Sequence, residues 1–293
     1  MRPVVESVSI IRKLPLILGA IRFQETIFAL PFAYSGMILA ADGLPKFTDF
    51  LWITVAMIGA RTLGMSANRI IDRHIDSDNP RTAMRHLPLG ILKTIDMMVL
   101  SLLSTILLFV AAWRLNPLAL QLAPVAAIYL AVYPFAKRFT WLSSFLLGWG
   151  LAIAPSAAWI GIKGSISWEP VLLSISVAAW ATSFDILYHV QDRDFYIERG
   201  LHSVAQQFGI KQAFLFSGIL DIMAIVCLVG VGILIGLSFP YFIGCLIAAG
   251  LLFYRRRMVS PENLGQINIA FMRINSYVSI TIFTSVIIAI LIS

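Results

Sequence analysis

Long apolar runs broken by short polar turns set the pattern of this chain. A helix crossing a bilayer needs about 20 mostly apolar residues. Nine runs meet that requirement, at roughly 14–41, 48–71, 90–112, 116–136, 140–162, 168–190, 211–236, 238–254 and 267–292. The seventh and eighth are separated only by Leu237-Ser238-Phe239-Pro240, a tight turn. Backbone polar groups in hydrocarbon must be satisfied within the segment, so each run predicts a helix. The expected fold is an all-α membrane protein, with about nine transmembrane helices in one bundle and residues 1–293 forming a single domain. Two longer polar stretches, at about 69–89 and 191–210, are predicted to cap the bundle as loops. Pro31, Pro124, Pro134 and Pro155 fall inside or beside spans and are expected to kink them.

Composition excludes the soluble alternatives. Of 293 residues, 59% are hydrophobic and only 13% charged. A water-facing shell would run short of polar residues. The bilayer is therefore the main partner, and the net charge of +7 needs no nucleic acid to explain it. With the N-terminus inside, the inner segments hold Arg2, Arg12, Lys13, Arg69, Arg73, Arg81, Arg85, Lys93, Lys137, Arg138, Arg193, Arg199, Lys211 and Arg255 to Arg257. The outer segments hold Lys46, Arg114 and Lys163, and Arg22, Arg61 and Arg273 fall within spans. This bias predicts a multi-pass plasma-membrane protein with a cytoplasmic N-terminus and both polar loops in the cytoplasm. Cys227 and Cys245 lie in apolar runs and suggest neither a disulfide nor a zinc site. The first apolar run is too long for a cleavable signal peptide.

Candidate chemistry sits where two spans meet the loops. Asn68, Asp72 and Asp76 are spaced i, i+4, i+8 and share one helical face. Asp185, Tyr188 and Asp192 are spaced i, i+3, i+7 and do the same. Asp185 lies inside an apolar run, where a carboxylate is costly and marks a functional site by default. Four helices separate the two faces, an even number, so both open to one side. This suggests two four-helix modules in parallel. Hard carboxylate and amide oxygens suit Mg²⁺ or Mn²⁺, and Mg²⁺ takes one or two carboxylates together with phosphate oxygens. Arg73, Arg81, Arg85, Lys137, Arg138 and Arg193 stand at the same level. Such a set fits a diphosphate on a lipid tail. The plainer reading is that these acids and cations form ordinary solvated loop bridges.

Three stretches carry a resemblance. They are NRIIDRHIDSDNPRTAMRHLPLG (Asn68 to Gly90), YPFAKRFTWLSSFLLG (Tyr133 to Gly148) and DILYHVQDRDFYIERGLHSVAQQFG (Asp185 to Gly209). They resemble the motifs of the UbiA family of intramembrane aromatic prenyltransferases, in particular a bacterial subgroup linked to 4-hydroxybenzoate. The resemblance implies Mg²⁺-dependent transfer of a polyprenyl group from polyprenyl diphosphate to a small aromatic acceptor, 4-hydroxybenzoate foremost, in respiratory quinone biosynthesis. An acceptor of the futalosine menaquinone route is the alternative. It further implies metal ligation by Asn68, Asp72, Asp76 and Asp192. Catalytic roles fall to Asp72, Asp76, Asp185 and Asp192. Substrate contacts fall to Asn68, Arg22, Arg81, Arg85, Lys137, Arg138, Tyr188 and Asp194, with Arg22 toward an acceptor carboxylate. Departures from the family pattern are Arg69 at an acidic position, Phe195 and Tyr196 at acidic positions, and His202 at a lysine position. Of the four histidines, His74, His86 and His202 read as loop polar groups, whereas His189 lies near the second acidic face. A transporter using Asp185 and Arg273 is the competing class.

Overall fold

The computed structural model describes residues 10–292, and every structural statement below concerns those residues. Arg2, counted above among the inner cations, lies outside them. Helices α1 (Ile10–Ala20), α2 (Thr26–Ala41), α3 (Phe47–Asp78), α4 (Thr94–Leu115), α5 (Pro117–Val132), α6 (Ser143–Lys163) and α7 (Trp168–His189) form the first part of the bundle. Short helices α8 (Arg193–Arg199) and α9 (Val204–Phe208) lead into α10 (Ile210–Ile235) and α11 (Phe239–Met258). Then α12 (Ile267–Ile269), a π-helical turn at Ala270–Ile274 and α13 (Asn275–Ile292) run on as one span.

Among the described residues, seven helices are long and apolar enough to cross a membrane, and an eighth if α1 and α2 are taken as one bent span. Helix α11 has 20 residues, but its last turn carries Arg255, Arg256 and Arg257. The expected nine is thus an approximate count. Local signals fix the ends. Asn116 accepts a hydrogen bond from the Ala119 amide at 2.9 Å, and Pro117 opens α5 just behind it.

Two boundaries differ from expectation. The run 14–41 is broken at Arg22, whose backbone is left-handed (φ 48°), and its two arms meet at 49°. Arg22 and Glu25 are ionic groups inside an apolar run, and they pair at the break at 2.6 Å. Conversely, α3 runs seven residues past the expected end, to Asp78. Its 32 residues span about 48 Å, more than the apolar layer, so residues 69–78 are helix rather than loop. Asn68, Asp72 and Asp76 therefore keep their common face.

Helix α7 is the axis of the fold, since every residue from Ser176 to Leu187 is buried. Its neighbours approach on small residues. A Cβ at Gly148 of α6 would run into Thr182 and the Ala178 carbonyl, and one at Gly36 of α2 would meet the Pro155 carbonyl. Close helix approach in a membrane depends on such residues.

One buried ionic cluster ties α7 to the C-terminal helices. Arg255, assigned above to a cytoplasmic segment, is 1% exposed. Its Nη2 donates to both carboxylate oxygens of Asp221 (2.6 and 2.9 Å) and to Ser183 Oγ (2.7 Å), and its Nη1 donates to Asn275 Oδ1 (2.9 Å). Ser183 in turn donates to Asp221 at 2.6 Å. Four helices, α7, α10, α11 and α13, converge on one guanidinium. Breaking a buried pair by removing one partner leaves an uncompensated charge. Arg255→Met is therefore expected to lower unfolding stability in detergent by about 3–5 kcal/mol. The double variant Arg255→Met/Asp221→Leu should recover most of that loss.

Candidate active site

Both acidic faces end in one polar pocket at the charged end of the bundle. The first comes from the last turns of α3. Pro80 follows Asn79, which is extended (φ −86°, ψ 118°), and α3 stops there. The chain then folds back over the helix end. Asn79 Oδ1 accepts from the Arg81 amide at 2.9 Å, and Thr82 Oγ1 donates to the Asp76 carbonyl at 3.0 Å. This turn carries Arg81 and Arg85 over the acidic face. The second face comes from the end of α7 and the 3₁₀ turn Val190–Asp192.

Every carboxylate in the pocket has a cation or imidazole against it. Asp72 accepts from Lys137 Nζ at 2.5 Å, Asn68 Nδ2 at 3.0 Å and Arg138 Nη1 at 3.3 Å. Asp76 accepts from Arg85 Nη1 through both oxygens at 2.8 and 2.7 Å. Asp192 takes Arg81 through Nε at 2.8 Å and Nη2 at 2.5 Å, and Asn79 Nδ2 at 2.9 Å. Asp185 faces His189 Nδ1 at 3.1 Å. Glu25 bridges Arg22 at 2.6 Å and Arg61 at 3.3 Å. Arg81 also donates to Tyr188 Oη at 2.9 Å and lies over the Tyr188 ring, 4.8 Å from its centroid. Burial works to lower the Arg81 pKa, but the hydrogen bonds and charge of Asp192 outweigh it and hold the guanidinium above its ordinary value.

The pocket wall holds six cations (Arg22, Arg61, Arg69, Arg81, Arg85, Lys137) against five acids (Glu25, Asp72, Asp76, Asp185, Asp192). An apolar chamber of about 520 Å³ adjoins it between α3, α4, α5 and α6. Ala29, Arg61, Met65, Tyr133, Leu147 and Leu151 line both spaces, so the two share a wall. Val125 and Trp149, at the chamber edge, are exposed on the bundle surface. The chamber thus opens sideways, toward lipid.

Of the residues singled out from the sequence, Arg22, Asn68, Asp72, Asp76, Arg81, Arg85, Lys137, Asp185, Tyr188 and Asp192 line this pocket. Arg138 stands behind the wall, donating to the Ile71 carbonyl at 2.8 Å as well as to Asp72. Asp194 does not join them. Its side chain is 89% exposed and pairs with Arg193 at 3.0 Å. It sits in the first turn of α8, on a face that looks outward, and cannot substitute for a pocket carboxylate.

Several pocket residues were not among the expected site residues. Glu25 and Arg61 are charges inside spans, which is itself a signal of function. Asn79 was legible only as part of a turn. Arg69 is buried, donating to the Ala20 carbonyl at 2.8 Å and to Asn68 Oδ1 at 3.1 Å, with Asp76 at 3.9 Å. It adds a cation where the family pattern has an acid. Tyr196 is buried against the pocket. Phe271, from the π-helical turn, packs on Tyr188 with ring centroids 4.5 Å apart.

Oxygen donors of Asn68, Asp72, Asp76 and Asp192 match the hard-ligand preference of Mg²⁺. Among the described residues, however, no three acidic, histidine or cysteine side chains form a group that could enclose a metal by themselves. The donor set fits an ion whose remaining positions are filled by substrate phosphate oxygens, not an all-protein cage.

Residues 29–277 match the UbiA prenyltransferase family. A 4-hydroxybenzoate octaprenyltransferase of Tolumonas auensis is 30% identical over 251 residues, 86% of this chain and 87% of that protein. The apo structure of a UbiA homolog from Aeropyrum pernix K1 superposes with a TM-score of 0.82 at 29% identity, covering 90% of this chain and 97% of that one. A UbiA homolog from Archaeoglobus fulgidus, solved with DMAPP and Mg²⁺, shares the fold at 17% identity (TM-score 0.64, covering 91% of this chain and 98% of that one). The match across most of the chain, on a bundle whose two acidic motifs meet in one pocket, makes this protein a member of the UbiA prenyltransferase family.

Proposed function

We propose that the protein transfers a polyprenyl group from its diphosphate to a phenolic acid, 4-hydroxybenzoate first among candidates, with the charged end of the bundle facing the cytoplasm and the plasma membrane as its site. One observation carries the reading. Asp72 and Asp192, 120 positions apart in the chain, line a single polar pocket that adjoins an apolar chamber. A diphosphate headgroup and an isoprenoid tail need that combination. The excess of inner over outer cations supports the orientation, and the name of the Tolumonas relative supports the acceptor.

Charge neutralisation is the main task. As the allylic C–O bond breaks, negative charge collects on the leaving diphosphate. Arg81, Arg85 and Lys137 sit at the pocket wall, and a guanidinium fork matches phosphate oxygens. Their present partners are Asp192, Asp76 and Asp72. An arriving diphosphate would compete for these cations and free the carboxylates. Asp72, Asp76 and Asp192, with Asn68, would then hold Mg²⁺, which supplies further positive charge against the leaving group. The tail would lie in the chamber, so the allylic carbon falls near Leu147 and Leu151, where the two spaces adjoin. Tyr188 and Phe271 add aromatic wall close by. Arg22, held by Glu25, could turn its fork to an acceptor carboxylate. A transporter would need Arg273 and Asp185 on one path. Arg273 is exposed, whereas Asp185 is buried at the pocket.

Asp72→Asn and Asp192→Asn should each cut prenyl transfer from geranyl diphosphate to 4-hydroxybenzoate by about 100-fold or more, while the protein still inserts and purifies. Near-normal turnover in either variant would remove the shared pocket from the reaction. Activity should disappear in chelator and return on addition of Mg²⁺, and turnover unaffected by chelator would eliminate the ion. Arg22→Ala is expected to raise the acceptor KM more than the prenyl-diphosphate KM. Equal effects on both would make Arg22 a structural residue.

A further inference from the structure

Removing a proton from the aromatic ring requires a base that is not already held by a cation. The carboxylates of the pocket are poorly placed for this. Asp72 is held by Lys137, Asn68 and Arg138, Asp76 by Arg85, Asp192 by Arg81 and Asn79, and Glu25 by Arg22 and Arg61, and once a diphosphate takes their cations the three aspartates would hold Mg²⁺ instead. His189 differs. It lies on α7 one turn after Asp185 and lines the pocket beside Tyr188. Its Nδ1 has two acceptors, the Asp185 carbonyl at 3.0 Å and Asp185 Oδ2 at 3.1 Å. Both call for the hydrogen on Nδ1, which leaves the lone pair on Nε2. The hydrogen-bond contacts of the imidazole run through Nδ1. The rings of Tyr188 and Tyr196 flank the imidazole, with centroids 6.3 and 5.9 Å away. Asp185 thus orients the imidazole at the pocket wall and makes Nε2 the basic atom of its neutral form.

We infer that His189 is the catalytic base that takes the ring proton, with Asp185 as its positioning residue. The assignment rests on the pocket being the prenyl-transfer site. A ring carbon of the acceptor bonds to C1 of the prenyl group, and the C1–O bond breaks with its electron pair going to the diphosphate. That ring carbon then carries one hydrogen too many. Its proton passes to His189 Nε2 and the C–H electrons return to the ring, restoring aromaticity. The imidazolium is stabilised by the Asp185 carboxylate and gives its proton to solvent after product leaves. The sequence offered one hint, a histidine one helical turn from an intramembrane aspartate.

The test uses the full-length protein in detergent with Mg²⁺, geranyl diphosphate and 4-hydroxybenzoate, the acceptor carrying either hydrogen or deuterium at both carbons ortho to the hydroxyl. His189→Ala and His189→Gln should lower kcat by about 100-fold and leave the KM for geranyl diphosphate unchanged. Proton loss should then limit turnover, so a primary deuterium isotope effect larger than that of the wild type should appear. Added imidazole should restore part of the rate of His189→Ala. Asp185→Asn should show a smaller loss with the same rise in isotope effect. Near-wild-type kcat in the histidine variants would overturn the assignment. So would a rate loss in a monodisperse variant that shows neither a larger isotope effect nor imidazole rescue. Should the wild type itself prenylate no phenolic acid, the proposed function fails first and this assignment falls with it.

Discussion

Carboxylates buried at the end of an apolar bundle must be met by positive charge, and the rest of this structure follows from that requirement. Taking an ionised group out of water costs several kcal/mol even after relaxation. The protein offsets this by supplying a cation or an imidazole to each of the five acids in the pocket wall. Those partners come from five separate places: the break between α1 and α2, the middle of α3, the turn after α3, the 3₁₀ turn Tyr133–Arg138, and the end of α7. The ion pairs therefore gather the elements around the ends of α3 and α7. They also leave the pocket close to charge balance, ready to exchange internal pairs for contacts with an anion. Arg69 pushes the balance further toward positive charge.

Much of this was legible in the chain. Hydrophobic runs gave the spans because the bilayer enforces a helix wherever apolar residues continue. Spacing gave the shared face of Asn68, Asp72 and Asp76, because i, i+4 and i+8 stack on any helix. What could not be read was who pairs with whom. Nothing in the spacing says that Arg81 closes on Asp192, 111 positions away, since that depends on how the turn after Asn79 folds back. Asp194 illustrates the converse. Its place two residues after Asp192 suggested a substrate contact, yet the helical rotation at the start of α8 turns it outward. Arg255 was taken for one of three surface arginines. Only the packing of four helices reveals it as the counterion of Asp221.

The bundle also separates two kinds of work by depth. Ionic groups are concentrated where α3 and α7 end, and the apolar chamber begins at the level of Arg61, Met65 and Leu151. A carbocation formed at that junction would meet aromatic and aliphatic walls before it met water, which limits quenching to an alcohol. The side opening beside Val125 and Trp149 spares the chamber from holding a whole polyprenyl chain. The buried Arg255 cluster holds α7 from the opposite side, keeping Asp185, Tyr188 and Asp192 in register with α3.

The central claim is that carboxylates from two distant segments serve one diphosphate headgroup. Equilibrium binding of an unreactive analogue, geranyl thiolodiphosphate, tests it without any chemical step. Wild-type protein should bind the analogue tightly with Mg²⁺ and weakly in chelator. Asp72→Asn and Asp192→Asn should each lose the Mg²⁺-dependent increment. If either variant keeps that increment in full, the two segments do not share the headgroup, and the account of the pocket is wrong.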